Sequence, residues 1–184
     1  CNFDVNHIYN DFSCVYPELG YDCQGNVAEY IIGMEVEGGI VFYVDETGQH
    51  GLVAAMVDLG PFEWGCNDLS ILGADEQSIG SGLQNTQEIG NQCTETPIAS
   101  SEALAYESED YTDWYLPSYD ELQEMYYSIG QGSSNGNKGN FSNSWYWASS
   151  QANTDIAWSF SFTNGTTFNF YKSSVFMIRP VRTF

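Results

Sequence analysis

The residues able to do covalent or acid–base chemistry are few in this chain, and they are poorly spaced for it. His7 and His50 are its only histidines. His50 borders a strand-like run with no second His, Cys or acidic cluster beside it, so a structural or surface role fits better than metal or general-base duty. No serine sits in the strand–turn–helix elbow that would present a nucleophile. Carboxylate pairs abound among 25 acidic side chains, so none is informative and most are expected to be solvated. A Gly-rich phosphate loop of the required spacing and a paired-Cys zinc motif are both missing. The chain is expected to be non-catalytic.

The chemistry that remains is recognition, and it is concentrated from Trp145 to Phe184. Trp158, Phe160 and Phe162 fall at every second position, the period of a strand with one buried face. Asn164-Gly165 follows, a strong hairpin signal because both central residues of such a turn take positive φ. The returning run alternates again, with Phe168 and Phe170 on one face and Asn169 and Tyr171 on the other. Lys172, Ser173 and Ser174 interrupt it, and a last apolar strand carries Arg179 and Arg182, two of only four basic residues. Such a hairpin is either a ligand platform or an ordinary β-rich edge.

Composition bounds the rest. The 184 residues suit one domain with a short appendage, and 42% hydrophobic with 16% aromatic content is enough for a sizeable core. The formal charge of −21 argues against nucleic acid, sulfated polyanions and anionic membranes, and fits a salty or calcium-containing medium. No apolar run approaches a membrane span. Five cysteines with almost no Lys suggest an extracellular, disulfide-bonded protein, with one thiol left over. A start at Cys1 without an initiator Met reads as a processed product or a fragment of a longer surface protein.

Elements must position that terminal stretch. Residues 1–27 are rich in turn formers and read as a loop module held by Cys1 and Cys14; Cys23 is the candidate free cysteine, with Cys14–Cys23 the other pairing. Asp4, Asn6, Asn10 and Asp11 offer oxygens to calcium, although their spacing is not that of the twelve-residue loop and a solvated acidic loop fits better. No cofactor is required; calcium is the one ion kept in view. Residues 28–184 read as the globular domain. Strands are expected at Tyr30–Ile32, Gly39–Val44 and His50–Ala55, the last two joined by a turn at Asp45–Gly48. A long loop, Trp64 to Gly82, leads to a helix with Asn85 as cap and Glu88 completing a capping box; Cys66 and Cys93 would staple the loop to its end. A second helix is expected from Pro97, capped by Thr96, to about Tyr106. Ser118 and Glu121 form another capping box, before the core-facing stripe Leu122, Met125, Tyr126, Ile129. Gly130 to Gly139 is a flexible loop.

Several ordered motifs carry a resemblance. Gly39–Val44, His50–Ala55, Trp64-Gly65-Cys66, Ile79–Gly82 with Asn85-Thr86, Asp113–Ser118 with Glu121-Leu122, Tyr146–Ser150 and Ile178–Arg182 together resemble the Lcl C-terminal domain family over residues 30–184. The first segment is similar to short Cys/Asp-rich repeats of bacterial surface proteins, although Val27 stands where that pattern has a cysteine. The resemblance implies an α+β, C-type-lectin-like fold: short helices on twisted antiparallel strands, long loops and a C-terminal hairpin. It implies a secreted or cell-surface adhesion domain. Sulfated-glycan binding through basic surfaces, known in some relatives, does not carry over to this acidic chain. The same superfold hosts formylglycine-generating oxidases, and Leu116-Pro117-Ser118 with Glu121 faintly resembles their helix start. Those enzymes need reactive cysteines in the C-terminal half, and none follows Cys93.

In some relatives the terminal segment is Asn-rich and diversified by retroelements that mutate adenines. Here Asn153, Thr154, Asp155, Ile156, Ser159, Ser161, Thr163, Thr166, Phe168, Asn169, Phe170, Tyr171, Ser173, Ser174, Val175 and Phe176 are all types reachable from an Asn codon that way. A fixed adhesin using the same types is the equal alternative. The ligand face is expected at Asn153, Asp155, Ile156, Ser159, Ser161, Thr166, Phe168, Asn169, Phe170, Tyr171, Ser173, Ser174 and Phe176. Its partner would be a cell-surface protein or glycan, met by a monomer or small homo-oligomer. The competing reading is a structural subunit of an extracellular filament or surface array.

Overall fold

The computed structural model describes residues 19–22 and 24–184. Cys1, Cys14 and Cys23, and the oxygens of Asp4, Asn6, Asn10 and Asp11, lie outside the described residues.

Among the described residues the fold is α+β, two sheets with three short helices. β1 (Glu35–Val36), β2 (Gly39–Val44), β3 (Gly51–Ala54) and β9 (Val181–Thr183) form an antiparallel sheet in the order β1-β2-β3-β9. β4 (Leu59–Glu63), β5 (Trp145–Gln151), β6 (Ile156–Ser161), β7 (Thr167–Tyr171) and β8 (Val175–Ile178) form the other, in the order β4-β8-β5-β6-β7. Among the described residues only the β5–β8 pairing is parallel. α1 (Gly82–Gln92), α2 (Ala99–Leu104) and α3 (Tyr119–Ser128) lie between the early and late strands in sequence.

Local chemistry explains most of these bounds. The β2–β3 turn forms because the Asp45 carboxylate accepts the Thr47 and Gly48 N–H groups at 3.0 and 3.1 Å. α3 begins at the expected capping box: Ser118 Oγ accepts from Glu121 N, and Glu121 Oε2 accepts from Ser118 N at 2.8 Å. Its stripe Leu122, Met125, Tyr126 and Ile129 is buried against Phe160, Phe162 and Tyr146. Cys66–Cys93 joins the long loop to the end of α1. Pro180 separates β8 from β9, and the chain crosses there from one sheet to the other.

Four expectations are corrected. Tyr30–Ile32 is no strand; the chain turns there, with Gly33 at φ +86°, and the first strand, β1, begins at Glu35. Asn85 is no cap, since α1 starts at Gly82 after Ser81. Asn85 is instead wholly buried, its Nδ2 donating to Glu76 O at 2.7 Å and Ser149 Oγ at 3.2 Å. α2 starts at Ala99, two residues beyond Pro97, where Ser101 Oγ accepts from Ile98 N. The β6–β7 hairpin has Gly165 alone at positive φ, +72°, in a longer loop closed by Ser161 N to Thr166 O at 2.9 Å. The loop is longer because Phe162 leaves the pairing with β7, keeps its N–H on Ser144 O at 2.9 Å, and buries against Phe141 and Tyr146 at ring distances of 4.5 and 4.6 Å.

Candidate ligand-binding face

Register decides which terminal residues meet. Trp147 of β5, Ser159 of β6 and Phe168 of β7 lie across from one another, as do Trp145 and Ser161. Successive residues of a strand alternate faces, so Ala157, Ser159 and Ser161 put a row of small side chains on one face of β6. Larger rings close over that row. Trp145 and Phe170 lie 5.1 Å apart, Phe168 and Phe170 4.8 Å, Phe170 and Phe176 4.8 Å, and Trp147 and Phe176 4.7 Å. Each such pair contributes about 1 kcal/mol beyond its burial. Ser159 and Ser161, expected in the ligand face, are therefore under this roof, 0% and 2% exposed. Ser159 Oγ donates to Phe168 O at 2.7 Å, tying the hairpin together from beneath.

The remaining expected residues divide between two faces. Phe168 is 57% exposed and shares a ring cluster with half-buried Phe170 and Phe176. Asn169 and Tyr171 point the other way, toward the α3 side, opposite Trp158 and Ile156. Tyr171 is 66% exposed. Tyr119 of α3 stacks 5.1 Å from Trp158 and shares a 2.6 Å hydroxyl contact with Thr167. Asn153 is exposed, but its Oδ1 accepts from Asp155 N and Ile156 N and shapes the β5–β6 turn. Thr166 is exposed and donates to Asn164 Oδ1 at 2.8 Å. Asp155 and Ser174 are half-buried, and Ser173 is exposed.

Sequence reasoning missed Trp145, Thr167, Tyr119 and Phe62. Alternation along β5 could have placed Trp145 and Trp147 on one face. Nothing local could have brought in Phe62, which lies across from Phe176 through the β4–β8 pairing.

Beneath these faces the frame is locked by buried polar groups. Lys172 is 0% exposed; its Nζ donates to Leu69 O at 2.7 Å and Gln151 Oε1 at 3.1 Å and sits 4.4 Å over the Trp64 ring. Burial lowers its pKa to about 8. Arg179, also 0% exposed, donates to Asp58, Ala55 O and Gly139 O and stacks on Phe141. Asp58 in turn accepts from Tyr146, whose phenol is pushed up by burial and by that carboxylate. Arg182 pairs with Asp113 at 2.6 Å, holding that carboxyl below its ordinary range. Glu121 accepts from Gly80 N as well as Ser118 N; burial raises its pKa against the pull of those N–H groups. Gly82 is required beside it, since a Cβ there would meet Glu121 Oε2 and Ser118 N well inside contact distance.

Among the described residues Cys66, Cys93 and Glu95 cluster as metal ligands would. The disulfide takes both sulfurs, and Glu95 Oε2 accepts from Cys66 N at 2.6 Å, so the group is a structural clasp. No helix of the described residues is long and apolar enough to cross a membrane.

A family model described as the Lcl C-terminal domain matches residues 66–182. No curated protein matches the chain. The matched span holds the whole hairpin and most of the buried frame, whose Ala55, Asp58 and Trp64 precede it.

Proposed function

Because the chain belongs to the Lcl C-terminal domain family, a family that suggests surface association, we propose that it is a non-catalytic, extracellular adhesion domain. It presents the β6–β7 hairpin to a cell-surface protein or glycan. One observation carries this reading: Phe168 and Tyr171, 57% and 66% exposed, stand out from the edge of a sheet whose interior is fixed. Exposed large rings on a rigid base lose little conformational entropy on binding, and the neighbouring Ser, Thr and Asn supply adaptable hydrogen bonds. The motifs that carry the family likeness, Asn85-Thr86, Ser118 with Glu121 and Ser149-Ser150, are buried and bonded to one another or to nearby backbone. They serve the scaffold and leave recognition to the hairpin.

The reading of residues 1–27 as a separate module, of calcium as a helper and of adenine-directed diversification at the hairpin belongs to the same proposal. Buried Ser159 and Ser161 narrow the diversified set that can meet a partner to its exposed and half-exposed members. A photo-crosslinking residue at Tyr171 tests the face. It should capture a target-cell component, while the same residue at Leu104, an exposed site on α2, should not. Equal capture from both positions would refute the proposal.

A further inference from the structure

The sheets end in four edge strands, and they are not alike. β1 has two residues, and β9 is bridged to Tyr115 beyond it. β4 contains Pro61 and a register irregularity between Leu59 and Phe62. Short, covered or kinked edges of this kind resist pairing with other chains. β7 has none of these devices: Thr167-Phe168-Asn169-Phe170-Tyr171 pairs with β6 without irregularity and carries no charge and no proline.

Its free side can be assigned. Ser161 N donates to Thr166 O, and Lys172 N to Asp155 O, so the hydrogen-bonded pairs of this ladder are those of Thr166, Phe168, Phe170 and Lys172. Thr167, Asn169 and Tyr171 therefore direct their backbone N–H groups away from the sheet. Among the described residues no partner meets those groups. Asn169 Oδ1 is also buried without a hydrogen-bond partner. Charge selects what fits. Against 25 acidic residues stand four cations, and Lys172, Arg179 and Arg182 are buried, leaving Lys138 exposed. A second copy would carry the same −21 overall and be repelled as a whole molecule.

We propose that β7 docks an extended, lysine- or arginine-bearing polypeptide segment of a partner protein as an added strand. Main-chain bonds to Thr167, to Asn169 and to the N–H of Tyr171, whose carbonyl already accepts from Ser174 N at 2.8 Å, supply affinity, and the net acidic charge favours a basic segment. This rests on the reading of the hairpin as the binding face and names the partner chemistry of that face.

The test uses an end-blocked peptide of alternating Lys and Val, about ten residues long, and a Lys-Pro peptide of equal charge that cannot extend a ladder. The Lys-Val peptide should bind at least about tenfold more tightly. Asn169→Pro should erase that margin and leave the melting temperature near wild type, because the lost N–H points away from β6. Equal binding of the two peptides would reduce the effect to bulk charge and overturn the proposal. So would an undiminished margin in Asn169→Pro, or self-association that this variant abolishes. The two readings separate. If Phe168→Ala/Phe170→Ala/Tyr171→Ala loses target-cell binding and Asn169→Pro keeps it, the side-chain face stands and the strand proposal falls. If Asn169→Pro loses the peptide margin while the triple variant binds cells normally, the strand proposal stands and the side-chain face falls.

Discussion

Lys172 sits where the hairpin meets the long loop, and its ammonium group is satisfied by two carbonyl oxygens and an indole ring. Its pKa is lowered by burial to about 8 from an ordinary 10.5. Below pH 8 the group is charged whether the chain is folded or not, and its desolvation opposes folding. Between about 8 and 10.5 the unfolded chain binds the proton more strongly, so this group adds stability as pH rises. Wild type should therefore gain stability over that window relative to Lys172→Met, measured by denaturant unfolding at several pH values. At pH 7 the same variant should lose about 1–3 kcal/mol, since it removes the charged donor from the Leu69 carbonyl and from Gln151 Oε1, which keeps only Ile71 N. A flat difference across the window would contradict the burial of the charge. Its burial and partners were not legible in the sequence, where Lys172 breaks an alternating run and stands as a fixed-frame position outside the residues open to adenine-directed change.

At the scale of elements, legibility followed locality. The β2–β3 turn, the α3 capping box and the Cys66–Cys93 staple depend on neighbours in sequence or on one covalent bond, and they are present as expected. Asn85 with Glu88 has the spacing of the α3 capping box, yet Asn85 is taken up by Glu76 O and Ser149 from outside the helix. Tertiary partners decided it. The hairpin showed the same limit: alternation placed Phe168 and Phe170 together, but only register shows that Ser159 and Ser161 lie under rings from three strands. Those serines are small by necessity. Ser159→Leu should lift Phe168 and Phe170 and cost about 1–3 kcal/mol through overpacking. A melting curve and near-ultraviolet circular dichroism would register it, and an unperturbed spectrum would mean that the roof is loosely packed.

For the whole molecule the dominant fact is charge. Three of the four cations lie in the frame, so the surface is almost purely acidic and repels itself. The melting temperature should rise as NaCl is raised from about 0.01 to 0.15 M, where the screening length falls from roughly 30 to 8 Å. Binding of a basic partner should weaken over the same range, whereas contacts made by exposed rings should persist. A binding curve insensitive to salt would separate the aromatic face from the charged surface around it. The measurement that bears most directly on the central claim is target-cell binding by wild type and by Phe168→Ala/Phe170→Ala/Tyr171→Ala, with both melting curves recorded. Loss of at least about tenfold in apparent affinity with the fold retained is the expected result. Unchanged binding by a folded triple variant would contradict the assignment of the hairpin as the face that meets the partner.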